Sequence, residues 1–376
     1  MKLNEIITPA AVIDLPTMHR NIERMQSRIN QLGPKFRPHV KTSKCVEVTQ
    51  LQINAGAHGV TVSTLKEAEQ FFAAGIKDIV YAVGMVPAKL PQAEKLLKNG
   101  CDLKILTDSV ASAEAISEYG RSHGLTFNVL IEIDTDDHRS GIKPDSDLLI
   151  RVAQSLTMPG ARITGVLTHA GSSYDLNNES ALIAMAEQER SGCVKAAERL
   201  RTAGFECPVV SIGSTPTALS AIQLNGVTEV RAGVYVFFDL VMHNVGICAM
   251  NEIALSVLTT VIGHQEEKGW IITDAGWMAM SRDRGTQKQT HDFGYGQVCQ
   301  LDGTPVEGYV VSSANQEHGI ISSAMNKTDD VIIKFPVGSQ LRILPNHACA
   351  TGAQFPQYYA VDSQGEVVVW DRFYGW

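Results

Sequence analysis

A (β/α)8 barrel of the TIM type with a C-terminal β domain is the fold that the sequence predicts, on three observations. Eight short apolar runs recur over about 200 residues, each separated from the next by a helical stretch. Several of those stretches close on glycine, as helices do. After about Leu240 the texture changes to short β-branched runs between turn residues.

The first helix is expected from about Thr17, a candidate N-cap, to Leu32. Met18, Ile22, Met25, Ile29 and Leu32 fall on one apolar stripe, and Gly33-Pro34 stops it. The strand candidates follow: "RPHV" (37–40), "GVTV" (59–62), "DIVYAV" (78–83), "LKIL" (103–106), "FNVLIEI" (127–133), "ITGVLTH" (163–169), "PVVSI" (208–212) and "EVRAGVYVF" (229–237). "STLKEAEQFFAAG" and "DSVASAEAISEYGRSHG" are typical of the helices between them. A doubly wound open sheet is the alternative, but no GxGxxG follows a strand. The later runs "ALSVLTTVIGH", "GWIITDAG", "DVIIKF", "SQLRIL" and "EVVVW" read as strands. Residues 10–240 are therefore assigned to the barrel, and 241–376 with 1–9 to the β domain.

Composition narrows the function classes. Of 376 residues, 44% are hydrophobic and 19% charged, as in a well-packed globular protein. A formal charge of −8 with no basic run argues against nucleic-acid binding. No apolar run approaches the roughly 20 residues of a membrane span. The N-terminus lacks the apolar core of a secretory signal. Seven scattered cysteines are odd in number and point to a reduced, cytoplasmic protein.

Catalytic groups of such barrels sit at the C-terminal ends of the strands. There the first strand delivers Lys41, beside Pro38 and His39, either as an activated amine or as a solvated loop lysine. The seventh ends in "SIGSTPT", where Gly213, Ser214 and Thr215 open a helix. That is a phosphate cradle or a tight turn with a helix cap. The eighth adds Arg231, Gly233 and Tyr235. A lysine facing a phosphate cradle points to pyridoxal phosphate held as a Schiff base. Near the end, "RILPNHACATGA" carries His347 and Cys349 with one residue between them. On a strand they would project together as two metal ligands; the alternative is a buried cysteine beside a hydrogen-bonded histidine.

These motifs resemble the alanine-racemase-type pyridoxal phosphate enzymes, and within them the D-serine dehydratase/D-threonine aldolase family. "RPHVKTSK" is similar to that family's "RPHVKTHK", "VSTLKEAE" to its "VSTLAEAE", and "SIGSTPT" to its phosphate motif. "QEHG" (316–319), "PNHACAT" (345–351) and the closing "GW" match as well, so the likeness covers nearly the whole chain. The resemblance implies that Lys41 is the Schiff-base lysine, that Gly213, Ser214 and Thr215 hold the phosphate, and that Gly233 and Tyr235 close the pocket. It further implies that Arg139 lies near the cofactor's phenolic oxygen, Arg231 and His169 behind the pyridine nitrogen, and Tyr174 near the cofactor. For Arg139 and His169 an ion pair or a packed core histidine is the other reading. His-x-Cys resembles the zinc pair of the dehydratase branch, where the aldolase branch typically has His-x-Asp. One departure is Ser43, which stands where relatives have a histidine.

The activity so implied is β-elimination from a D-3-hydroxy amino acid, giving a 2-oxo acid and ammonia. Lys41 would act as the base at Cα and zinc on His347 and Cys349 would activate the leaving hydroxyl. A homodimer with its site near the subunit interface is also implied. D-threonine aldolase-type cleavage is the first rival. Racemisation, with Tyr295 as second base, and a non-catalytic pyridoxal phosphate carrier are the others. The β-hydroxyl substrates D-serine, D-threonine and D-threo-3-hydroxyaspartate stay open; for the last, Arg282 and Arg284 are candidate cations.

Overall fold

The computed structural model describes residues 1–323 and 331–376. They form two compact units, Met1–Glu23 with Val234–Tyr374, and Arg24–Gly233 with Gly375–Trp376.

Strand β1 (Ala10–Asp14) leads directly into helix α1 (Leu15–Leu32). The Asp14 carboxylate accepts the Thr17 amide at 2.9 Å, so Asp14 caps the helix and Thr17 lies inside it. Met18, Ile22, Met25 and Ile29 are buried, as the stripe requires. Strand β1 pairs with strands of the β unit, which corrects the expected start of the barrel at residue 10.

The barrel unit carries β2 (Lys35–Pro38), α2 (Val46–Asn54), β3 (Val60–Val62), α3 (Leu65–Ala73), β4 (Asp78–Gly84), α4 (Leu90–Lys98), β5 (Asp102–Thr107), α5 (Val110–His123), β6 (Phe127–Ile133), α6 (Leu148–Ser155), β7 (Ala161–Thr168), α7 (Glu179–Thr202), β8 (Val209–Ile212), α8 (Thr215–Ser220) and β9 (Glu229–Ala232). All eight strands are parallel, in the order β2-β9-β8-β7-β6-β5-β4-β3, and the His39–Thr61 bridge joins the last to the first. The eighth run is shorter than expected: the chain leaves the strand at Ala232 and turns into a 3-10 segment, Val234–Val236. Side chains alternate between the two faces of each strand. One set of alternate positions is Phe36, Ile79, Leu103, Ile105, Val129, Ile131, Val166, Val210, Ile212 and Val230, all apolar and buried, as a helix-covered face must be.

The other face lines the barrel interior, and it is divided. On β4–β7, Val80, Leu106, Leu130 and Leu167 pack together. On β8, β9 and β2 the same positions carry Ser211, Glu229, Arg231, Arg37 and His39. Arg37 is almost fully buried, with Nε 2.6 Å from Glu229 and a bidentate pair to Asp78 at 2.9 and 3.0 Å. Ser211 donates to Glu229 at 2.7 Å and accepts from Arg231 at 2.8 Å. A buried polar line thus runs from Asp78 along the strands to Arg231.

In the β unit follow α9 (Leu240–Val245), β10 (Leu255–Gln265), β11 (Trp270–Thr273), α10 (Trp277–Met280), β12 (Gly296–Cys299), β13 (Pro305–Ala314), β14 (Gly319–Ser323), α11 (Val331–Lys334), β15 (Gln340–Pro345), α12 (Ala348–Gly352), β16 (Gln357–Val361) and β17 (Val367–Asp371). Strands β10-β11-β14-β13-β12-β15 form an antiparallel ring that returns to β10, and β10 also carries β1, β16 and β17. Closing the ring removes six strands' worth of open edge. Two expectations are corrected here. Of "DVIIKF", Asp330 lies outside the described residues and Val331–Lys334 form a helical turn rather than a strand. The His-x-Cys pair does not sit on a strand: β15 ends at Pro345, and His347 caps α12.

Candidate active site

Lys41 follows β2 and the bridging residue His39, half-buried in the turn 40–43. Its neighbours come from three other strand ends. His169 directly follows β7, Arg231 lies on β9, Arg139 stands on the loop after β6, and Gly233 ends β9. A Cβ on Gly233 would lie 3.0 Å from the His39 carbonyl oxygen and 3.1 Å from the Thr42 hydroxyl, so a bare backbone fits best against the lysine turn. Ser43, the departure from the family pattern, is buried in that turn.

The electrostatics of this barrel mouth are set by burial and by cations. Burial first, then Lys41, Arg231, His169 and Arg139, push the His39 imidazole well below its ordinary pKa. Burial likewise takes His169 down to about 3; its bond to Gly213 works against the shift, and Lys41, Arg139 and Arg231 add to it. Both rings are therefore neutral near pH 7. His169 Nδ1–H donates to the Gly213 carbonyl at 2.9 Å, which leaves Nε2 as the acceptor nitrogen. Arg231 spends Nη1 on Ser211 and Nη2 on the Thr168 carbonyl, at 2.8 and 2.7 Å. Its Nε and His39 Nδ1 are buried without a hydrogen-bond partner among the described residues. Three cations, two neutral imidazoles and two unsatisfied buried nitrogens suit an anionic aromatic ligand.

The turn after β8 is more committed internally than the sequence foretells. Ser214 caps α8 and exchanges bonds with Thr217: Ser214 N–H to the Thr217 hydroxyl at 3.0 Å, and Thr217 N–H to Ser214 Oγ at 3.2 Å. Gly213 N–H donates to Glu189 at 3.0 Å. Gly213 holds φ +135°, and a Cβ there would fall 2.0 Å from the Arg231 carbonyl oxygen, so no other residue fits. Thr215 opens the helix and is fully buried. Tyr174 sits on a 3-10 turn, Gly171–Asp175, with its ring centroid 6.2 Å from that of His169. That turn is fixed to the Arg139 loop, because Ser172 N–H donates to Asp136 at 2.8 Å and the His138 ring fills the place of a Gly171 side chain.

In the β unit, His347 Nδ1 lies 2.6 Å from the Asp283 carboxylate, and the imidazole also hydrogen-bonds to Cys349. Burial opposes its charged form, but the bonds to Asp283 and Cys349 raise its pKa to about 11. An imidazole and a thiol within hydrogen-bond reach of each other are groups that could together hold a divalent ion, with the Asp283 carboxylate orienting the imidazole from behind. Among the described residues no group of three or more His, Cys, Asp and Glu side chains is arranged to hold a metal, so the two stand as a pair. Asp239, buried, accepts the Ala348 amide at 3.0 Å and the Met242 amide at 2.9 Å, which pins the turn between His347 and Cys349. Tyr235 is buried on the 3-10 turn that opens this unit. Arg284 is engaged by Asp292 at 2.8 Å and lies over the Tyr295 ring; Arg282 is exposed and lies over Trp277.

Sequence reasoning missed Glu189, Asp239 and Asp283. Glu189 had a signal: it falls on the stripe of Leu182, Ala186, Cys193, Ala197 and Leu200, where a charge is out of place. Asp283, in "SRDRG", had none.

Comparison with known proteins covers both units. Residues 13–241 match the family model for the alanine racemase N-terminal domain, and 254–361 that for a putative serine dehydratase domain. D-threo-3-hydroxyaspartate dehydratase of Delftia sp. (strain HT23) is 62% identical over 98% of each chain. D-serine dehydratase of Dictyostelium discoideum is 27% identical over 97% of this chain and 96% of that one. A solved structure of D-threo-3-hydroxyaspartate dehydratase, a cysteine-to-alanine variant in the metal-free form, superposes with a TM-score of 0.99 at 61% identity, covering 100% of each chain.

Proposed function

Since the chain belongs to the D-serine dehydratase family, which joins an alanine racemase N-terminal domain to a serine dehydratase domain, we propose that it dehydrates a D-3-hydroxy amino acid with pyridoxal phosphate and zinc. The observation that carries this reading is the His347–Cys349 pair backed by Asp283: a racemase or a carrier has no use for it, and an elimination that must expel hydroxide does. Bound, the cofactor supplies an electron sink at Cα and zinc a Lewis acid for the β-hydroxyl.

The chain's own groups have separable tasks. Lys41 is assigned to carry the cofactor and to take the Cα proton. Arg139, Arg231 and the unsatisfied Arg231 Nε–H and His39 nitrogen favour an anionic aromatic body in the barrel mouth. Thr215 and Ser214 are assigned to the phosphate, Gly213 to the close approach of the backbone, and Tyr174 and His169 to the ring. Gly233 is assigned to the wall of the barrel-mouth pocket. Asp283 fixes which His347 nitrogen faces the metal.

As substrate we assign D-threo-3-hydroxyaspartate, the substrate in the name of the 62% identical relative. Arg282 supports the choice. It adjoins Asp283, is exposed, and has no ion-pair partner among the described residues, whereas Arg284 is held by Asp292. A cytoplasmic homodimer completes the proposal, and sedimentation would measure the assembly. The same cofactor could support retro-aldol cleavage, but that reaction deprotonates the hydroxyl rather than expelling it.

The test is a product assay on protein loaded with pyridoxal phosphate and zinc, with each D-3-hydroxy amino acid and its L-enantiomer. Ammonia and a 2-oxo acid from the D-form, lost with a chelator and in Lys41→Ala, is the expected result. Glycine with an aldehyde would make the protein an aldolase, and no turnover with cofactor bound would make it a carrier. In Arg282→Ala, KM for D-threo-3-hydroxyaspartate should rise about tenfold or more against D-serine, from loss of one charge-assisted contact.

A further inference from the structure

We propose that Glu189 is a positioning residue for the barrel-mouth site, fixing both His169 and the Gly213–Thr217 turn against which the phosphate is held; the inference rests on the pyridoxal phosphate reading above. Glu189 is fully buried on α7, yet none of its bonds serves the helix. Oε1 accepts Ala170 N–H at 2.9 Å and Gly213 N–H at 3.0 Å; Oε2 accepts the Thr217 hydroxyl at 2.6 Å. All three donors belong to the segments that follow β7 and β8.

Their positions explain what the carboxylate does. Ala170 is the residue after His169, and the Gly213 carbonyl accepts His169 Nδ1–H at 2.9 Å. One oxygen therefore holds both attachments of the imidazole, its own backbone and its hydrogen-bond acceptor, and so fixes its direction and tautomer. The other oxygen takes the Thr217 proton, which leaves the Thr217 oxygen to accept Ser214 N–H at 3.0 Å. Ser173 donates to the Ala170 carbonyl at 2.7 Å, which leaves its oxygen to accept from Ser214 at 2.8 Å. Thr217 Oγ1 also lies 3.0 Å from Ser214 Oγ, so fixing the Thr217 proton limits the Ser214 hydroxyl to donating to Ser173 or to Thr217. Packing does not account for the residue: its stripe neighbours are Ala186, Cys193 and Ala196, and burying a carboxylate is costly unless its bonds are needed. Glu189 touches no reacting atom, so its effect passes through His169 and the turn.

The experiment compares pyridoxal 5′-phosphate with pyridoxal, which lacks the phosphate, by titrating each into the metal-loaded protein and reading the absorbance of the lysine adduct. The ratio of the two dissociation constants measures what the turn gives to the phosphate. In Glu189→Ala that preference for the phosphorylated form should fall about tenfold or more, the effect of misplacing one or two hydrogen bonds to an anion. Glu189→Gln, whose Oε1 still accepts both amides but whose Nε2 cannot accept the Thr217 proton, should recover roughly half of the loss on a logarithmic scale. The idea fails if the two affinities fall together at constant ratio, as a general packing defect would make them, or if glutamine does not rescue. Should Glu189→Ala not fold, Thr217→Val is held to the same ratio criterion. A wild-type protein that forms no adduct with either aldehyde, while melting cooperatively, would overturn the cofactor reading itself and this inference with it.

Discussion

Four non-glycine residues among those described hold a positive φ, and each lies within three residues of a candidate site residue: Lys44 (46°) after the Lys41 turn, Asp137 (58°) before Arg139, Phe238 (48°) before Asp239, and Ser281 (73°) before Asp283. Such conformations cost about 1–3 kcal/mol each and persist where surrounding contacts enforce them. The two neutral histidines carry a further cost that depends on pH. His169 has its pKa lowered to about 3 in the folded barrel, so on acidification the unfolded chain takes up the proton first. Stability is then complete above the ordinary histidine pKa and is lost as pH falls toward 3, at about 1.4 kcal/mol per pH unit for this group. Cofactor-free wild type should lose about 2 kcal/mol more than His169→Gln between pH 7 and pH 5 in urea titrations, by the same relation. Equal losses would mean that the ring is not held neutral. At the metal pair, Asp283→Asn should weaken zinc binding by about 10–100-fold with the fold intact, which competition with a chromogenic chelator would measure.

Among elements, the helix ends govern the sites. Helices α9 and α12 share one buried carboxylate: Asp239 caps the first and takes the Ala348 amide at the start of the second. Asp239→Ala should cost about 2–4 kcal/mol, a lost cap plus an unsatisfied buried amide, and should lower the midpoint in denaturant titration. An unchanged midpoint would place the anchoring of the His347 turn elsewhere. Strand positions were legible because a short apolar run bounded by turn residues and followed by a helical stretch fits little besides a barrel strand. Six of the eight predicted barrel runs overlap their strands closely; the first, 37–40, was drawn two residues too late against Lys35–Pro38, and the last was drawn too long. It runs on through Gly233 into buried apolar residues that are a 3-10 turn, a distinction hydrophobicity does not carry. The strand expected at 347–349 failed for a similar reason. The Asp239 anchor that starts a helix there is more than a hundred residues away in the chain, at a separation of 109.

At the scale of each unit, the barrel interior is half hydrocarbon and half ionic. Val80, Leu106, Leu130 and Leu167 fill one side, and Arg37, Asp78, Glu229, Ser211 and Arg231 the other. Burial opposes the Asp78 charge, but Arg37 and then Lys104 bring its pKa down to about 2. Replacing Arg37 leaves buried Glu229 without its cation and part-buried Asp78 with Lys104 and His58 alone. Arg37→Leu should therefore destabilise by about 3–5 kcal/mol at neutral pH. The loss should shrink on acidification, since carboxylates without their cation accept protons more readily. A loss under about 1 kcal/mol would show the network to be dispensable.

The sequence by itself determined the alternation of strands and helices, the change of texture near Leu240, and the residues with chemistry: Lys41, Arg139, His169, the Gly213–Thr215 turn, Arg231 and the His347–Cys349 pair. These are local facts, carried by periodicity, turn residues and short motifs, and so are readable along the chain. Tertiary structure decided that Ala10–Asp14 serves the β unit, that six strands close into a ring, and that Gly213 N–H is already spent on Glu189 and Ser214 N–H on Thr217. It alone revealed Glu189 between two loops, Asp283 behind His347, and the unsatisfied nitrogens of Arg231 and His39. Those depend on which distant donors and acceptors meet once water is excluded, and no one-dimensional pattern records that.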